Sequence, residues 1–208
     1  MKEREQNVKI KICGLCREED ADYANEVSPD YVGLVFWEKS KRYVTAELAQ
    51  RIRNKIHSGI QVVGVFLDAP VEEVIALLQQ NVIDMAQLHG SETEEDIQYI
   101  QAVTGKPVMK AVKVQHRYDV EAWLDSNADY LLFDAGTGSG QTFDWELLAD
   151  VEREFFLAGG LTAENIPEAI QRVGPYAVDL SSGVETDGHK DLDKMRKAVF
   201  ATRRNKNE

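Results

Sequence analysis

A cysteine and an aspartate each stand at the end of a short apolar run of the sequence. Cys13 follows VKIKI, and Asp134 closes YLLFD. A thiol and a carboxyl group that face the same pocket can work as a paired base and acid. Taken singly, such a cysteine is more often buried and inert, and such an aspartate more often forms a turn. Their placement relative to one another therefore decides between these interpretations.

The residues two and four positions before each group lie on the same face of its strand and influence its chemistry. Lys11 lies on the same face as Cys13, and its positive charge would lower the pKa of the thiol, as a thiol base requires. The alternative is that Lys11 simply pairs with a neighbouring carboxylate. Leu132 and Tyr130 lie on the same face as Asp134. They predict an apolar setting, which would raise the pKa of that carboxyl and keep it protonated as an acid.

Two clusters of glycine and serine follow the last two apolar runs. AGGL spans 158–161, and SSGVE spans 181–185. Each cluster alone is explained by a turn that needs glycine. Their coincidence after neighbouring strands matches the place where many barrels bind phosphate through backbone N–H groups. The pattern predicts a phosphorylated substrate, held by loops that would lie between Cys13 and Asp134 in a closed ring of strands.

An arginine ends the basic loop WEKSKR after the second apolar run. The planar guanidinium of Arg42 suits bidentate binding of a carboxylate. A solvated basic turn is the commoner explanation of such a charge cluster. Arg42 is therefore a candidate for binding a substrate carboxylate, and the surface role stays open.

Cys13 and Cys16 form a C-x-x-C motif, which can serve redox chemistry or supply half of a zinc site. The four histidines are scattered and no second C-x-x-C follows, so the sequence predicts no metal site. Two cysteines are also too few for a disulfide scaffold. A thiol-disulfide function remains a minor alternative.

Short β-branched or apolar runs alternate along the chain with stretches of helical periodicity. Ser91, followed three residues later by Glu94, predicts a capping box that opens a helix there. Apolar stripes at three- and four-residue spacing predict further helices around 48–56, 71–78, 166–173 and 192–200. The predicted strands are 8–13, 31–36, 61–66, 83–88, 107–112, 130–134, 154–158 and 176–181.

These elements predict a single α/β domain over residues 1–208, whose eight units can close into a (β/α)8 TIM barrel. The 208 residues divided by eight units give 26 each, close to the roughly 30 of a compact βα repeat. Strands that alternate with helices are parallel and covered by those helices. An open doubly wound sheet is the structural alternative. In a barrel, the residues after the strands, including the glycine-dense loop 135–142, meet at the carboxyl-terminal face where active sites lie.

The composition excludes several functional classes. Lys and Arg number 24 against 36 Asp and Glu, a formal charge of −12, so long-range repulsion disfavours nucleic acid as a partner. A hydrophobic fraction of 43% supports a folded core. No apolar run approaches the roughly 20 residues that span a bilayer, and the opening MKEREQN is too charged to lead into a signal peptide. We expect a soluble, cytoplasmic enzyme with no membrane partner.

Several segments together resemble the phosphoribosylanthranilate isomerase family of tryptophan synthesis. They are KICGL, GLVF with the following Ser40 and Arg42, VGVF, QLHG, GSGQTFDW, LAGGL, ENI and VDLSSGVE. They occur in the family's order over nearly the whole chain. KICGL, QLHG and DLSSGVE are each fairly specific, and their combination is highly so.

The resemblance implies a monofunctional barrel that performs an Amadori rearrangement of a phosphoribosylated anthranilate without a cofactor or metal. In the family, the cysteine that matches Cys13 is the general base and the aspartate that matches Asp134 is the general acid. The arginine that matches Arg42 binds the anthranilate carboxylate. The residues that match the family's phosphate loops are Gly159, Gly160, Ser182 and Gly183. Further residues expected to bind the substrate are Lys11, Gln87, His89, Asp179 and Ser181. We expect a monomer or a homodimer.

Two features depart from the family's usual pattern. A residue other than cysteine usually stands where this chain has Cys16, which leaves a disulfide with Cys13 open. The stretch between Asp134 and GSGQTFDW is shorter than in many relatives. The nearest alternative is the histidine-pathway isomerase, a sugar-phosphate barrel that runs the same chemistry with an aspartate in place of Cys13. A thiol-disulfide protein and a catalytically silent phosphate-binding barrel are more distant alternatives.

Overall fold

The computed structural model describes residues 8–135 and 143–204. The opening segment MKEREQN, on which the prediction about a signal peptide rests, lies outside these ranges. Residues 136–142 of the predicted glycine-dense loop and residues 205–208 lie outside them as well.

Eight parallel strands close into a barrel in the described part of the chain. Each strand pairs with the next in sequence, and β8 returns to β1 with Lys11 opposite Asp179. This closure confirms the predicted (β/α)8 barrel and excludes the open doubly wound sheet, which would leave two edge strands. The strands are β1 (Lys9–Cys13), β2 (Tyr31–Val35), β3 (Gln61–Phe66), β4 (Met85–Leu88), β5 (Val108–Lys113), β6 (Tyr130–Asp134), β7 (Phe155–Leu157) and β8 (Ala177–Leu180).

Seven α-helices cover the outside of the barrel within the described ranges. They are α1 (Glu18–Val27), α2 (Ala46–Lys55), α3 (Val71–Gln79), α4 (Glu94–Thr104), α5 (Arg117–Glu121), α6 (Ile166–Val173) and α7 (Leu192–Arg204). A short hairpin, β9 (Glu185–Thr186) with β10 (His189–Lys190), precedes α7. None of the described helices is long and apolar enough to cross a membrane.

In the sixth unit, the described residues form a single 3₁₀ turn where the eight-unit repeat predicts a helix. This turn, Trp145–Leu148, is capped by Asp144, whose Oδ1 accepts a hydrogen bond from the backbone N–H of Glu146 at 3.1 Å. Trp145 and Leu148 are buried, so one turn supplies the apolar cover that a helix would give. The chain is near the lower length limit of this fold, which leaves few residues for a longer element.

The capping box predicted at Ser91 lies two residues later in the chain. Thr93 caps α4, because its Oγ1 accepts from the Asp96 N–H at 3.3 Å while the Asp96 carboxylate accepts from the Thr93 N–H at 2.8 Å. Ser91 instead donates its N–H and its hydroxyl to Asp68 Oδ1, at 2.6 and 2.7 Å. The prediction was wrong because T-x-x-D satisfies the same motif as S-x-x-E, and Ser91 has a partner on another loop.

Apolar side chains pack in two separate layers. The larger layer lies between the strands and the helices. A smaller cluster fills the inside of the barrel and consists of Tyr31, Val63, Met85, Met109, Ala111, Leu132, Phe156, Ala158 and Ala177. This inner packing makes the barrel a solid core rather than a pore, so polar residues gather at the ends of the strands.

Candidate active site

A cavity of about 190 Å³ lies at the carboxyl-terminal ends of the strands. The structure brings eleven of the twelve residues predicted to act on or bind the substrate to its wall. These are Cys13, Arg42, Gln87, His89, Asp134, Gly159, Gly160, Asp179, Ser181, Ser182 and Gly183. Closure of the barrel thus unites residues from both ends of the chain at the face where barrel enzymes place their chemistry.

Lys11 is the predicted substrate-binding residue that does not line this cavity. Its side chain is fully buried inside the barrel, and Nζ donates to Asp179 Oδ2 at 2.9 Å. Burial opposes the positive charge, but Asp179 and Cys13 together outweigh it and raise the pKa of Lys11. Lys11 therefore forms the lysine–carboxylate pair that was the alternative to a role beside the thiol. It also lies close enough to Cys13 to influence the pKa of the thiol.

Cys13 ends β1 with positive and negative groups around its thiol. Gly33 on β2 leaves space for the sulfur, since a Cβ at that position would lie 2.6 Å from Sγ. Burial raises the pKa of the thiol most, and Asp179 adds to it, while Lys11 and Lys190 lower it without cancelling the increase. The expectation that Lys11 brings this pKa below its usual range is therefore wrong. The physical reason is the combination of burial with the Asp179 charge that accompanies the lysine.

Asp134 faces a histidine as well as the apolar residues of its own strand. Leu132 is buried in the inner core, whereas Tyr130 stacks on Tyr176 toward the start of the strand. His89 follows β4, and its Nε2 lies 3.6 Å from Asp134 Oδ2. The predicted apolar setting of Asp134 thus omitted a polar neighbour that comes from another strand.

Gln87 orients this histidine. Its side-chain amide lies 3.0 Å from His89 Nδ1, and the direction of this hydrogen bond depends on the histidine tautomer. Gln87 Oε1 and Asp179 Oδ1 are buried and find no hydrogen-bond partner among the described residues. Both residues line the cavity.

The loops after β7 and β8 pack directly against one another. Gly159 and Gly160 adopt φ angles of 91° and 63°, which glycine tolerates without strain. Gly183 lies against Leu161, where a Cβ would overlap the carbonyl oxygen. The 3₁₀ turn Ser182–Val184 begins here, and its first N–H groups have no partner within the turn. Close packing thus brings residues of both loops together in the cavity wall.

Sequence reasoning missed two charged residues beside the site. Arg42 Nε and Nη2 donate to the two carboxylate oxygens of Glu185, each at 2.7 Å. Glu185 also accepts from the buried Lys190 Nζ at 2.6 Å. A solvated basic turn is therefore the wrong description of Arg42. The sequence signal that could have revealed the pair of Glu185 and Lys190 is Asp187-Gly188. This dipeptide favours a two-residue hairpin, which sets Glu185 opposite Lys190.

The two cysteines of the C-x-x-C motif have different surroundings. Cys13 lines the cavity, whereas the backbone N–H of Cys16 donates to Asp20 Oδ2 at 2.9 Å, at the turn into α1. Both are free thiols. Within residues 8–135 and 143–204, no group of three His, Cys, Asp or Glu side chains is arranged to hold a metal ion.

Comparison with known proteins distinguishes among barrels of this kind. The family model for N-(5′-phosphoribosyl)anthranilate (PRA) isomerase matches residues 10–201. N-(5′-phosphoribosyl)anthranilate isomerase from Endomicrobium trichonymphae is 45% identical over 196 residues, which cover 92% of this chain and 96% of that protein. The chain belongs to this family.

Solved structures of phosphoribosylanthranilate isomerases share the fold over nearly the whole chain. One, in complex with reduced 1-(o-carboxyphenylamino)-1-deoxyribulose 5-phosphate, has a TM-score of 0.84 at 37% identity and covers 94% of this chain and 98% of that one. Monomers generated from the dimeric enzyme of Thermotoga maritima give 0.84 at 38% identity with the same coverage. The predictions of family, barrel fold and isomerase activity are confirmed. The matches do not support the histidine-pathway or thiol-disulfide alternatives.

Proposed function

We propose that the chain converts N-(5′-phosphoribosyl)anthranilate to 1-(2-carboxyphenylamino)-1-deoxyribulose 5-phosphate with Cys13 as general base and Asp134 as general acid. The observation that carries this proposal is their common cavity, in which the loops after β7 and β8 lie between them in the ring of strands. A sugar phosphate bound to those loops presents its carbons to both groups. That placement suits acid–base catalysis.

The phosphate group is proposed to bind where the loops after β7 and β8 meet. Backbone N–H groups of Gly160, Ser182 and Gly183 can donate to its oxygens, because these residues lack bulky side chains and line the cavity. Leu161 and Gly183 are in contact, so the two loops offer one continuous surface. Barrel enzymes frequently bind phosphate at this pair of strands.

The reaction begins at the ring oxygen of the furanose. Protonated Asp134 gives its proton to that oxygen, the bond from the oxygen to C1 breaks, and the anthranilate nitrogen forms a Schiff base with C1. The Cys13 thiolate then removes the proton from C2, and the electron pair moves toward the nitrogen to give an enolamine. The enolamine tautomerises to the 2-ketone as C1 gains a proton and the C2 hydroxyl loses its proton. The substrate's own nitrogen accepts the electrons, so these steps use only proton transfer.

His89 is proposed to steady the acid. In the tautomer whose Nδ1 accepts from the Gln87 amide, the Nε2 proton faces the Asp134 carboxylate, 3.6 Å away. A ring N–H aimed at a carboxylate stabilises the anion that remains after the proton has left. His89 therefore supports the form of Asp134 produced by ring opening.

The raised pKa of Cys13 makes its thiolate scarce at neutral pH but strongly basic when formed. Lys11 and Lys190 supply the positive charge that favours the thiolate against burial. A base of higher pKa removes a proton from carbon more readily, although less of it is in the reactive form. The site balances these two demands through the charges packed around the sulfur.

Arg42 is proposed to bind the carboxylate of the anthranilate half. Its side chain lines the cavity and is 28% exposed, so part of the guanidinium is within reach of a ligand. A planar guanidinium can bind a carboxylate through two parallel hydrogen bonds. This contact would hold the aromatic end of the substrate at Arg42, while the phosphate end binds the loops after β7 and β8.

The proposed setting of the enzyme follows from its charge and its relatives. We infer that it works in the cytoplasm on a phosphorylated small molecule, as a monomer or a homodimer, without a cofactor and without nucleic acid. The net charge of −12 disfavours a nucleic acid partner. The related enzyme of Thermotoga maritima is described as dimeric, which supports the homodimer as one of the two states.

Complementation of a tryptophan auxotroph that lacks this isomerase tests the proposal. The wild-type chain and Cys16→Ala are expected to restore growth without tryptophan, whereas Cys13→Ala is not. The reason is that Cys13 lines the cavity and Cys16 does not. All three chains must accumulate to similar levels in the cells. Growth supported by Cys13→Ala would remove the thiol from the mechanism, and failure of the wild-type chain would overturn the proposed reaction.

A further inference from the structure

The proposed mechanism gives no role to Glu185, whose carboxylate is buried beside the cavity. Both oxygens of Glu185 accept from Arg42, from Nε and from Nη2, each at 2.7 Å. The Glu185 side chain is 7% exposed and that of Arg42 is 28% exposed. Two parallel hydrogen bonds of this kind fix the plane of the guanidinium as well as its distance.

Lys190 holds Glu185 from the other side. Its Nζ donates to Glu185 Oε1 at 2.6 Å and to the Ser181 carbonyl oxygen at 3.1 Å, and the side chain is 1% exposed. Although burial favours the neutral acid, the hydrogen bond from Arg42 and the charge of Lys190 lower the pKa of Glu185. Glu185 is therefore an ionised group held between two cations. It keeps its hydrogen bond with Lys190 if Arg42 moves.

The backbone of the hairpin β9–β10 sets this arrangement. Glu185 and Lys190 are directly opposite in the antiparallel register, so their side chains share one face. Asp187 and Gly188 form the turn with φ angles of 53° and 80°, as a tight two-residue hairpin requires. The hairpin thus delivers the carboxylate and its buried lysine to the site as one unit.

Glu185 occupies only one edge of the Arg42 guanidinium. The edge formed by Nε and Nη2 is bound, while no hydrogen bond from Nη1 is found among the described residues. Behind the arginine lies Gly14, where a Cβ would overlap Arg42 Cδ. The side chain is thereby confined between the first loop and the hairpin, and its second edge remains for a second carboxylate.

We propose that Glu185, anchored by Lys190, is a positioning residue that aims the second edge of Arg42 at the carboxylate of the substrate and so sets selectivity for a carboxylated aromatic ring. This inference rests on the proposed function, in which Arg42 meets that carboxylate. The opposite role, in which Glu185 competes with the substrate for Arg42, would require a buried and doubly held carboxylate to give way. The free edge of the arginine makes that displacement unnecessary.

The experiment compares the dissociation constants of two probes. One is reduced 1-(o-carboxyphenylamino)-1-deoxyribulose 5-phosphate, and the other is the same molecule without its carboxylate. The ratio of the two constants isolates the carboxylate contact, because both probes share the phosphate and the sugar chain. It is measured for the wild type, for Arg42→Ala, for Glu185→Gln and Glu185→Asp, and for Thr186→Val. Thr186 lies in the same hairpin, where its hydroxyl donates to Asp191 Oδ2 at 2.7 Å, and it serves as the matched control.

The proposal predicts that Glu185→Gln reduces the wild-type selectivity for the carboxylated probe about tenfold, the scale of one hydrogen bond to a charged group. The probe without a carboxylate should bind within about twofold of wild type. Glu185→Asp keeps the charge and should give an intermediate ratio. If Glu185→Gln does not fold, the ratio measured for Glu185→Asp tests the proposal. Thr186→Val should leave the ratio unchanged.

Three results would overturn the inference. Equal weakening of both probes in Glu185→Gln would mean that the residue merely holds the loop. An unchanged ratio with neither probe weakened would mean that Arg42 needs no positioning, and tighter binding of the carboxylated probe would reveal a competitor. Failure of the proposed function would look different. A wild-type ratio near one that is unchanged in Arg42→Ala would show that Arg42 does not bind the carboxylate of the substrate.

Discussion

The Cys13 thiol is predicted to ionise at unusually high pH. Burial and the Asp179 carboxylate raise its pKa more than Lys11 and Lys190 lower it. We therefore expect its alkylation by iodoacetamide to rise with pH through a midpoint above the ordinary thiol value of about 8.5. The rates are measured on Cys16→Ala, so that a single thiol reacts, with the double variant lacking both thiols as the blank. A midpoint of about 7 or below would refute this balance of charges.

Asp134→Asn is predicted to separate binding from turnover. The amide keeps the shape of the side chain and can hydrogen-bond, but it cannot give up a proton to the ring oxygen. Binding of the reduced product analogue should therefore persist while kcat falls by roughly 100-fold or more, the scale of a lost general acid. Steady-state kinetics and the thermal midpoint are measured on the same purified variant.

Asp68→Asn is the matched control for this change. Asp68 also follows a strand but does not line the cavity, and its φ of 54° suits asparagine. We expect this variant to keep near-normal kcat with a small loss of stability. If Asp134→Asn behaved in the same way, Asp134 would be a turn residue and the site would lack its proposed acid.

At this scale, the sequence predicted the residues that end strands better than the partners they meet. Cys13 and Asp134 were found because each closes an apolar run. The pair formed by Arg42 and Glu185 was missed because it joins loops 143 positions apart. No local spacing encodes such a contact. The Cys13 pKa was likewise misjudged, since burial depends on packing that a two-residue spacing does not reveal.

The contact between the loops after β7 and β8 gives a prediction about an element. Gly183→Ala would place a methyl group into the Leu161 carbonyl oxygen and push the two loops apart. We expect KM for the substrate and the dissociation constant of inorganic phosphate to rise together, because the N–H groups of both loops are displaced.

Gly59→Ala is the control for the glycine change. No atom lies within 4 Å of the Cβ position at Gly59, which is remote from the cavity. It should leave phosphate binding unaltered. If Gly183→Ala also bound phosphate normally while the protein remained folded, the anion would have to be held elsewhere.

The elements themselves were predictable where hydrophobic periodicity is strong. The predicted strands agree with the observed ones to within two residues at each end. The errors fall where two local signals compete, as at Ser91 and Thr93, or where a short chain replaces a helix by one 3₁₀ turn, Trp145–Leu148. In both places tertiary packing chose between alternatives that the sequence pattern allowed equally.

For the whole molecule, the number and order of strands predicted an α/β fold but not its closure. Periodicity alone fits an open sheet of eight strands as well as a barrel, and the pairing of β1 with β8 is what separates them. The resemblance to a known family supplied the missing constraint. Closure then explains why Cys13, near the start of the chain, shares a cavity with Asp179 and Gly183, near its end.

The central claim is that Asp134 opens the ring and Cys13 then removes the C2 proton. A single turnover with enzyme in excess, quenched with borodeuteride, tests both steps at once. Reduction places deuterium on C1 of the ring-opened Schiff base and on C2 of the ketone product. We predict label on C2 for the wild type, label on C1 with product formation slowed by roughly 100-fold or more for Cys13→Ala, and neither above the buffer control for Asp134→Asn. Label on C2 from Cys13→Ala at a rate near that of the wild type would contradict the account.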